Sequence, residues 1–220
     1  MSEAQPGSES TPRGPGRPAQ ISRHQVVTAA CTIADAEGLN AVSMRAVAKH
    51  LGVAAMGLYR HITDKESLLE AMVEQVAAEY DYTQLPTAWR DGLVALARQQ
   101  RALIARHPWL PDLASRYHPL GPATLAYVEC TLSLFERAGT PPSSQLETVG
   151  LFNGIVTTLC VAATRPAREP DEDQRQRLIA LLATGDYPCF AALAGHPHMD
   201  LDVEFDRIVG RLIDGLAHGG

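Results

Sequence analysis

Residues 43–65, SMRAVAKHLGVAAMGLYRHITDK, decide the fold. Ser43 stands where a helix N-cap belongs, Val47 and Leu51 fall on one face of the helix it starts, and Gly52 supplies the positive φ that ends it. Val53 and Leu58 then point a second helix, VAAMGLYRH, back at the first, and a third begins near Asp64. Two short helices joined by a Gly turn form a DNA-reading unit whose second helix can enter a major groove.

Residues 1–20 are rich in Pro, Gly and Ser and poor in apolar side chains, so they are expected to form a disordered N-terminal arm. Order is expected from Ile21. Ser22 and Gln25 spell a capping box, Ile21 and Val26 a hydrophobic staple, and the first helix runs to about Gly38. The reader therefore occupies 21–66, and 67–220 is expected to be a helical domain for ligand binding and dimerisation. Helices are expected at about 64–80, 87–107, 109–117, 121–138, 143–164, 172–184 and 202–217, with breaks at Pro86, Pro108, Gly121-Pro122, 139–142, 166–170 and 188–197. No alternating run suggests a sheet, so the fold class is all-α. The acidic stretch 169–173, EPDED, reads as a solvated helix start favoured by the helix dipole.

Charge divides along the chain: residues 10–65 hold seven Arg or Lys against three acids, and residues 66–220 hold twelve against twenty. The small basic part faces phosphate and the larger acidic part does not. Cys31, Cys130, Cys160 and Cys189 lack metal spacing and read as buried free thiols in a reducing compartment. The sequence reads as having no apolar run near the roughly 18 residues of a membrane span, and no signal peptide, so a cytoplasmic protein is expected.

Two later helices have unusual faces. Phe205, Ile208, Val209, Leu212, Ile213 and Leu216 make a wide apolar stripe near the C-terminus, and Leu146, Val149, Leu151, Phe152, Ile155, Val156, Leu159 and Val161 cover more than one face of theirs. Gly150, Gly154, Gly210 and Gly215 cost helix stability but let helices approach closely. A four-helix contact between two copies explains both patterns, with Leu151, Ile155 and the C-terminal stripe as the interface.

Residues 22–72, containing ADAEGLNAVSMRAVAKHLGVAAMGLYRHITDKESLLEAM, resemble the reader of the TetR family of bacterial transcriptional regulators. HPWL, LGPATLAYVECTL, ETVGLFNGIVTTL and FDRIVGRLIDGL resemble its tetracycline-repressor-like C-terminal domains. The resemblance implies DNA contacts from Met44, Arg45, Ala55, Met56, Gly57, Tyr59, His61 and Lys65. Arg45 can reach a guanine edge or a phosphate, Ala55 a thymine methyl, and Gly57 lets backbone approach the DNA. Tyr59, His61 and Lys65 suit phosphates, although Tyr59 could instead pack, His61 could cap a helix C-terminus, and both methionines could serve the core. Arg13 and Arg17 of the arm could enter a minor groove. The second reader helix carries no Asn or Gln for adenine, which gives DNA shape a larger part.

The positions that align with several tetracycline contacts are Tyr80, Leu96 and Gln100, which are not the polar set that drug needs. No cofactor and no metal ligand is carried over, and His107, His118, His196 and His198 lack the spacing of a helical ligand pair. For an apolar pocket with a few polar groups the candidates are Arg98, Arg101, His107, Trp109, Tyr117, Tyr127, Phe152, Asn153 and Thr157. The resulting reading is a homodimeric repressor that binds a palindromic operator and is released by a small-molecule effector. Its alternatives are an activator, a DNA-binding protein without effector control, and a small-molecule-binding protein or enzyme on a helical scaffold. The last lacks a phosphate loop, a nucleophile with a partner and metal spacing.

Overall fold

Capping side chains and prolines set most of the helix starts. The structure, a computed structural model, describes residues 21–117, 119–164, 171–193 and 201–218. Among them the regular elements are helical: α1 (Arg23–Glu37), α2 (Met44–Leu51), α3 (Ala55–Leu58), α4 (Lys65–Ala77), α5 (Trp89–Arg106), α6 (Leu110–Ala114), α7 (Pro122–Arg137), α8 (Gln145–Thr164), α9 (Glu172–Ala183), α10 (Pro188–Ala191) and α11 (Leu201–His218). The all-α expectation holds for these residues. A 3-10 turn at Leu39–Ala41 and the short α10 were not anticipated.

Local chemistry explains the starts. Ser22 and Gln25 form the reciprocal capping box, with Ser22 Oγ accepting from the Gln25 amide at 3.2 Å. Ser43 accepts from Ala46 N–H at 3.1 Å, and Asp64 accepts from Ser67 N–H at 2.7 Å, which holds the Asp64 carboxyl below its ordinary range. Gly52 ends α2 at φ 68°, a left-handed conformation that a side chain would strain. The described part of the acidic run, 171–173, is a helix start, with Asp171 capping α9 and Glu172 and Asp173 in its first turn, while 169 and 170 lie outside the described residues. The expected arm, 1–20, lies outside the described residues.

Two apolar clusters divide the chain. The first joins α1 to α4 through Val26, Ala30, Val47, Leu58, Leu68 and Met72, and draws in Leu103, Trp109 and Leu113 from beyond the reader. The apolar face of α4 belongs to this cluster through Leu68, Met72 and Val76. The second cluster joins α5, α7, α8 and α11 through Leu93, Leu96, Phe135, Phe152, Val156, Phe205, Val209 and Ile213. Arg90 and Arg98 on α5 fasten α11 by two-pronged pairs to Asp214 and Asp206, each closing to 2.6 Å.

Three expectations change here. Helix α8 spans 20 residues at mean hydropathy 1.5, so by length and composition it matches a membrane span. Its inner face (Val149, Phe152, Val156, Cys160) packs in the second cluster. Its outward face keeps Leu151 and Ile155 46 % and 39 % exposed. In α11 the stripe splits. Phe205, Val209 and Ile213 are consumed by the chain's own core, which removes them as interface candidates, while Ile208, Leu212 and Leu216 stay half-buried. The cysteines split too: Cys31 and Cys160 are buried, Cys130 half-buried and Cys189 exposed, all free.

Candidate nucleic-acid interface and interior polar cluster

The reader turns its apolar residues inward and leaves a row of chemically useful side chains outside. Val47, Leu58 and Ile62 are buried, fixing α2 and α3 against α1 and α4. That packing projects Arg45 from the start of α2, Met56 from α3, Tyr59 and Lys65 into solvent, with Met56 77 % exposed. Ala55, Gly57 and His61 are half-exposed among them, and the space over Gly57 is open, so a nucleic-acid backbone meets no obstacle there. Met44 departs from the expectation: it is 9 % exposed and packs in the reader's core, because its place at the first turn of α2 faces inward. The expected second reader helix shortens to the four residues of α3, with a turn carrying Tyr59 to His61. Arg13 and Arg17 lie outside the described residues.

Most of the expected pocket residues lie apart from one another. Arg98 is exposed and held by Asp206, whose carboxyl it keeps below the ordinary range. The Arg101 guanidinium sits 5.0 Å over the Phe205 ring. Phe152 is core, edge-on to Phe135 at 5.8 Å. His107 and Trp109 belong to a joint with the reader: Asp35 Oδ1 on α1 lies 2.8 Å from His107 Nδ1 and accepts from Trp109 Nε1 at 2.6 Å. Glu79, just after α4, pairs with Arg106 at 2.7 Å and lies 3.4 Å from His107 Nε2. Tyr117 packs half-buried against the reader's cluster.

Tyr127, Asn153 and Thr157 do come together, between α5, α7 and α8. Tyr127 donates its hydroxyl to Asn153 Oδ1 at 2.5 Å, and Gln100 Nε2 donates to Thr157 Oγ1 at 2.7 Å. Tyr80 lies against Tyr127 at 4.6 Å between ring centroids, and Tyr82 stacks near Tyr80 at 6.2 Å with 13° between planes. Burial pushes the Tyr80 and Tyr127 phenols well above their ordinary values and Tyr82 up to about 12, so the rings stay neutral. Two buried atoms here lack a partner, Gln100 Oε1 and the Tyr82 hydroxyl. Such groups cost stability unless something else satisfies them. Tyr80 and Gln100 were visible in the sequence only as positions aligned with a drug the chain does not suit; Tyr82, Asp35 and Glu79 carried no signal. Among the described residues no three His, Cys, Asp or Glu side chains group as a metal site.

A capped helix-turn-helix with an outward row of Arg, Tyr and Lys, set on a helical body with an interior polar cluster, defines a one-component DNA-binding regulator. Residues 26–72 match the family described as bacterial regulatory proteins, tetR family, and residues 83–219 match the tetracyclin repressor-like C-terminal domain. The chain belongs to the TetR family of bacterial transcriptional regulators, which are not enzymes. It is 33 % identical to the HTH-type transcriptional repressor DrrR1 of Streptomyces coeruleorubidus over 93 % of this chain and 79 % of that protein. Apo ActR from Streptomyces coelicolor superimposes with a TM-score of 0.80 at 28 % identity, covering 91 % of this chain and 97 % of ActR. ActR in complex with actinorhodin gives 0.75 at 26 % identity, covering 92 % and 98 %. BioQ with its double-stranded DNA operator, 20 % identical with a TM-score of 0.61 over 90 % of this chain and 99 % of that one, shares the fold.

Proposed function

We propose that the chain is a cytoplasmic homodimeric repressor that holds a pseudo-palindromic operator and releases it when a small organic effector enters the body. The observation that carries the DNA half is the outward row of Arg45, Met56, Tyr59 and Lys65 on a unit whose apolar side chains are spent inside. Arg45 offers a fork for a guanine edge or phosphate, and Lys65 at the start of α4 adds its charge to that helix's N-terminal amides. Dimerisation is supported by the uncovered apolar face of α8, Leu151 and Ile155, beside Ile208, Leu212 and Leu216 of α11. Open space over Gly150, Gly154 and Gly215 leaves room for a second copy to approach closely. In such a dimer the two readers must sit about 34–36 Å apart to meet successive grooves.

For the effector, the stacked phenols and the unpaired Gln100 carbonyl favour a neutral, flat, hydroxylated aromatic molecule over an ion or a metal chelate. That ActR is found in complex with actinorhodin supports a small-molecule ligand. A ligand bound better by one reader separation than another shifts the dimer toward it and gives up contacts on both half-sites. The test is to retain duplexes from a random library on the protein, then add neutral hydroxyaromatic compounds to the retained complex. Release by one of them from the parent, and not from a Gln100→Leu variant, supports the effector half; a complex that every compound leaves intact counts against it.

A further inference from the structure

Helix α7 lacks a cap of its own. Gly121 occupies its N-cap with no side chain to offer, and Pro122 at the first position has no N–H. The exposed donors are instead taken by a carboxylate from another helix: Glu74 of α4 accepts from Ala123 N–H at 2.5 Å, Thr124 N–H at 3.1 Å and the Thr124 hydroxyl at 2.7 Å. Leu125 N–H bonds Gly121 C=O at 3.0 Å, so the first turn is satisfied only with Glu74 in place. A Cβ at Gly121 would overlap that carboxylate, so the absent side chain is what admits Glu74.

The placement matters because α4 belongs to both halves of the molecule. Its apolar face builds the reader's core through Leu68, Met72 and Val76. One turn beyond Thr124, α7 carries Tyr127, whose ring meets Tyr80 just after α4 and whose hydroxyl bonds Asn153. Helices α4 and α7 are thus tied at two points, a charged one at Glu74 and an aromatic one at Tyr80, and the second lies in the interior cluster.

We propose, resting on the regulator reading above, that Glu74 is the positioning residue that holds the reader at its operator-binding angle against the body. By supplying from α4 the cap that α7 lacks, it makes any shift of α7 at Tyr127 a shift of α4. The role differs from simple helix stabilisation, because a cap supplied by α7 itself restores the helix without restoring the tether.

The double variant Glu74→Ala/Gly121→Ser separates the two. Removing the Glu74 side chain frees the space over Gly121, whose extended backbone (φ −79°, ψ 166°) suits an N-cap serine. Spin labels at Arg60→Cys in the reader and Glu129→Cys on α7, with Cys130 and Cys189 replaced by Ser and labelled chains diluted into unlabelled ones, report the reader's position within one chain. All readings are taken well below the melting temperature of every variant. The expected result is one narrow separation in the parent and a broad distribution in both Glu74→Ala and the double variant, with operator affinity weakened roughly 5- to 100-fold in each. A double variant with the parental narrow separation and parental operator affinity overturns the proposal and leaves Glu74 a cap only. A parent that selects no duplex, while the label separation still broadens on losing Glu74, refutes the DNA reading and leaves the tether standing.

Discussion

Replacing Asp35 by Ala removes the one acceptor shared by two buried donors at the joint between reader and body. Trp109, 4 % exposed, and His107, 9 % exposed, both direct a ring nitrogen at Asp35 Oδ1. A buried donor stripped of its acceptor costs about 1–3 kcal/mol. The Asp35 side chain is 32 % exposed, so water reaches part of the gap and each loss falls near the bottom of that range. The sum is about 2–3 kcal/mol for Asp35→Ala. At roughly 2–4 °C per kcal/mol for a chain of this size, the melting midpoint falls by about 4–12 °C. Asp35→Asn keeps a carbonyl oxygen in the same place and loses about 1 kcal/mol or less. The chain has two tryptophans, so a Trp89→Phe background leaves Trp109 as the sole reporter, and its emission during heating follows the joint itself. Asp35→Ala melting at the parental temperature, or Asp35→Asn costing as much as Asp35→Ala, refutes the claim that the shared acceptor holds the joint.

Three further outcomes follow from the same geometry. Arg45→Ala weakens operator binding by about 1–3 kcal/mol and relaxes preference at one base position if Arg45 reads a base; unchanged affinity and unchanged preference remove that role. Ile208→Glu with Leu212→Glu yields monomers by light scattering that no longer hold the operator, whereas a dimer that persists places the interface elsewhere. For the thiols, burial pushes Cys31 up to about 12 and Cys160 up to about 11, from an ordinary 9.0. A raised folded value leaves stability intact below the ordinary thiol range and erodes it as pH rises from there toward the folded values, because the unfolded chain ionises first. At pH 8 alkylation should mark exposed Cys189 first and leave Cys31 and Cys160 unmodified until denaturant is added; equal labelling of all four contradicts the burial.

The capped starts were legible because caps are local chemistry. Ser22, Ser43, Asp64 and Gly52 each act within a few residues of themselves, and each does what its spacing implies. The division of an apolar stripe is not local. Phe205 and Ile208 look alike in sequence, yet one meets α5 and α8 within the chain and the other stays partly open, a distinction set by the crossing of three helices. Met44 illustrates the same limit, since the family's contact pattern placed it toward DNA and packing turned it inward. His107 and Trp109 were expected in the effector pocket, and they instead meet Asp35, a partner 72 and 74 positions away that no local pattern reveals. Glu74 had no signature at all, because an acid on a solvated helix and an acid capping a distant one are the same letter.

A homodimeric repressor of this family requires two copies on one inverted repeat. The mass and affinity of the protein on a duplex selected from a random library, compared with a single half-site and a scrambled duplex across salt concentrations, decide whether this chain meets that requirement. A homodimeric repressor puts two chains on each selected duplex, selects an inverted repeat, and binds it far more tightly than the half-site or scramble. One chain per duplex, or equal and strongly salt-dependent binding to all three, contradicts it.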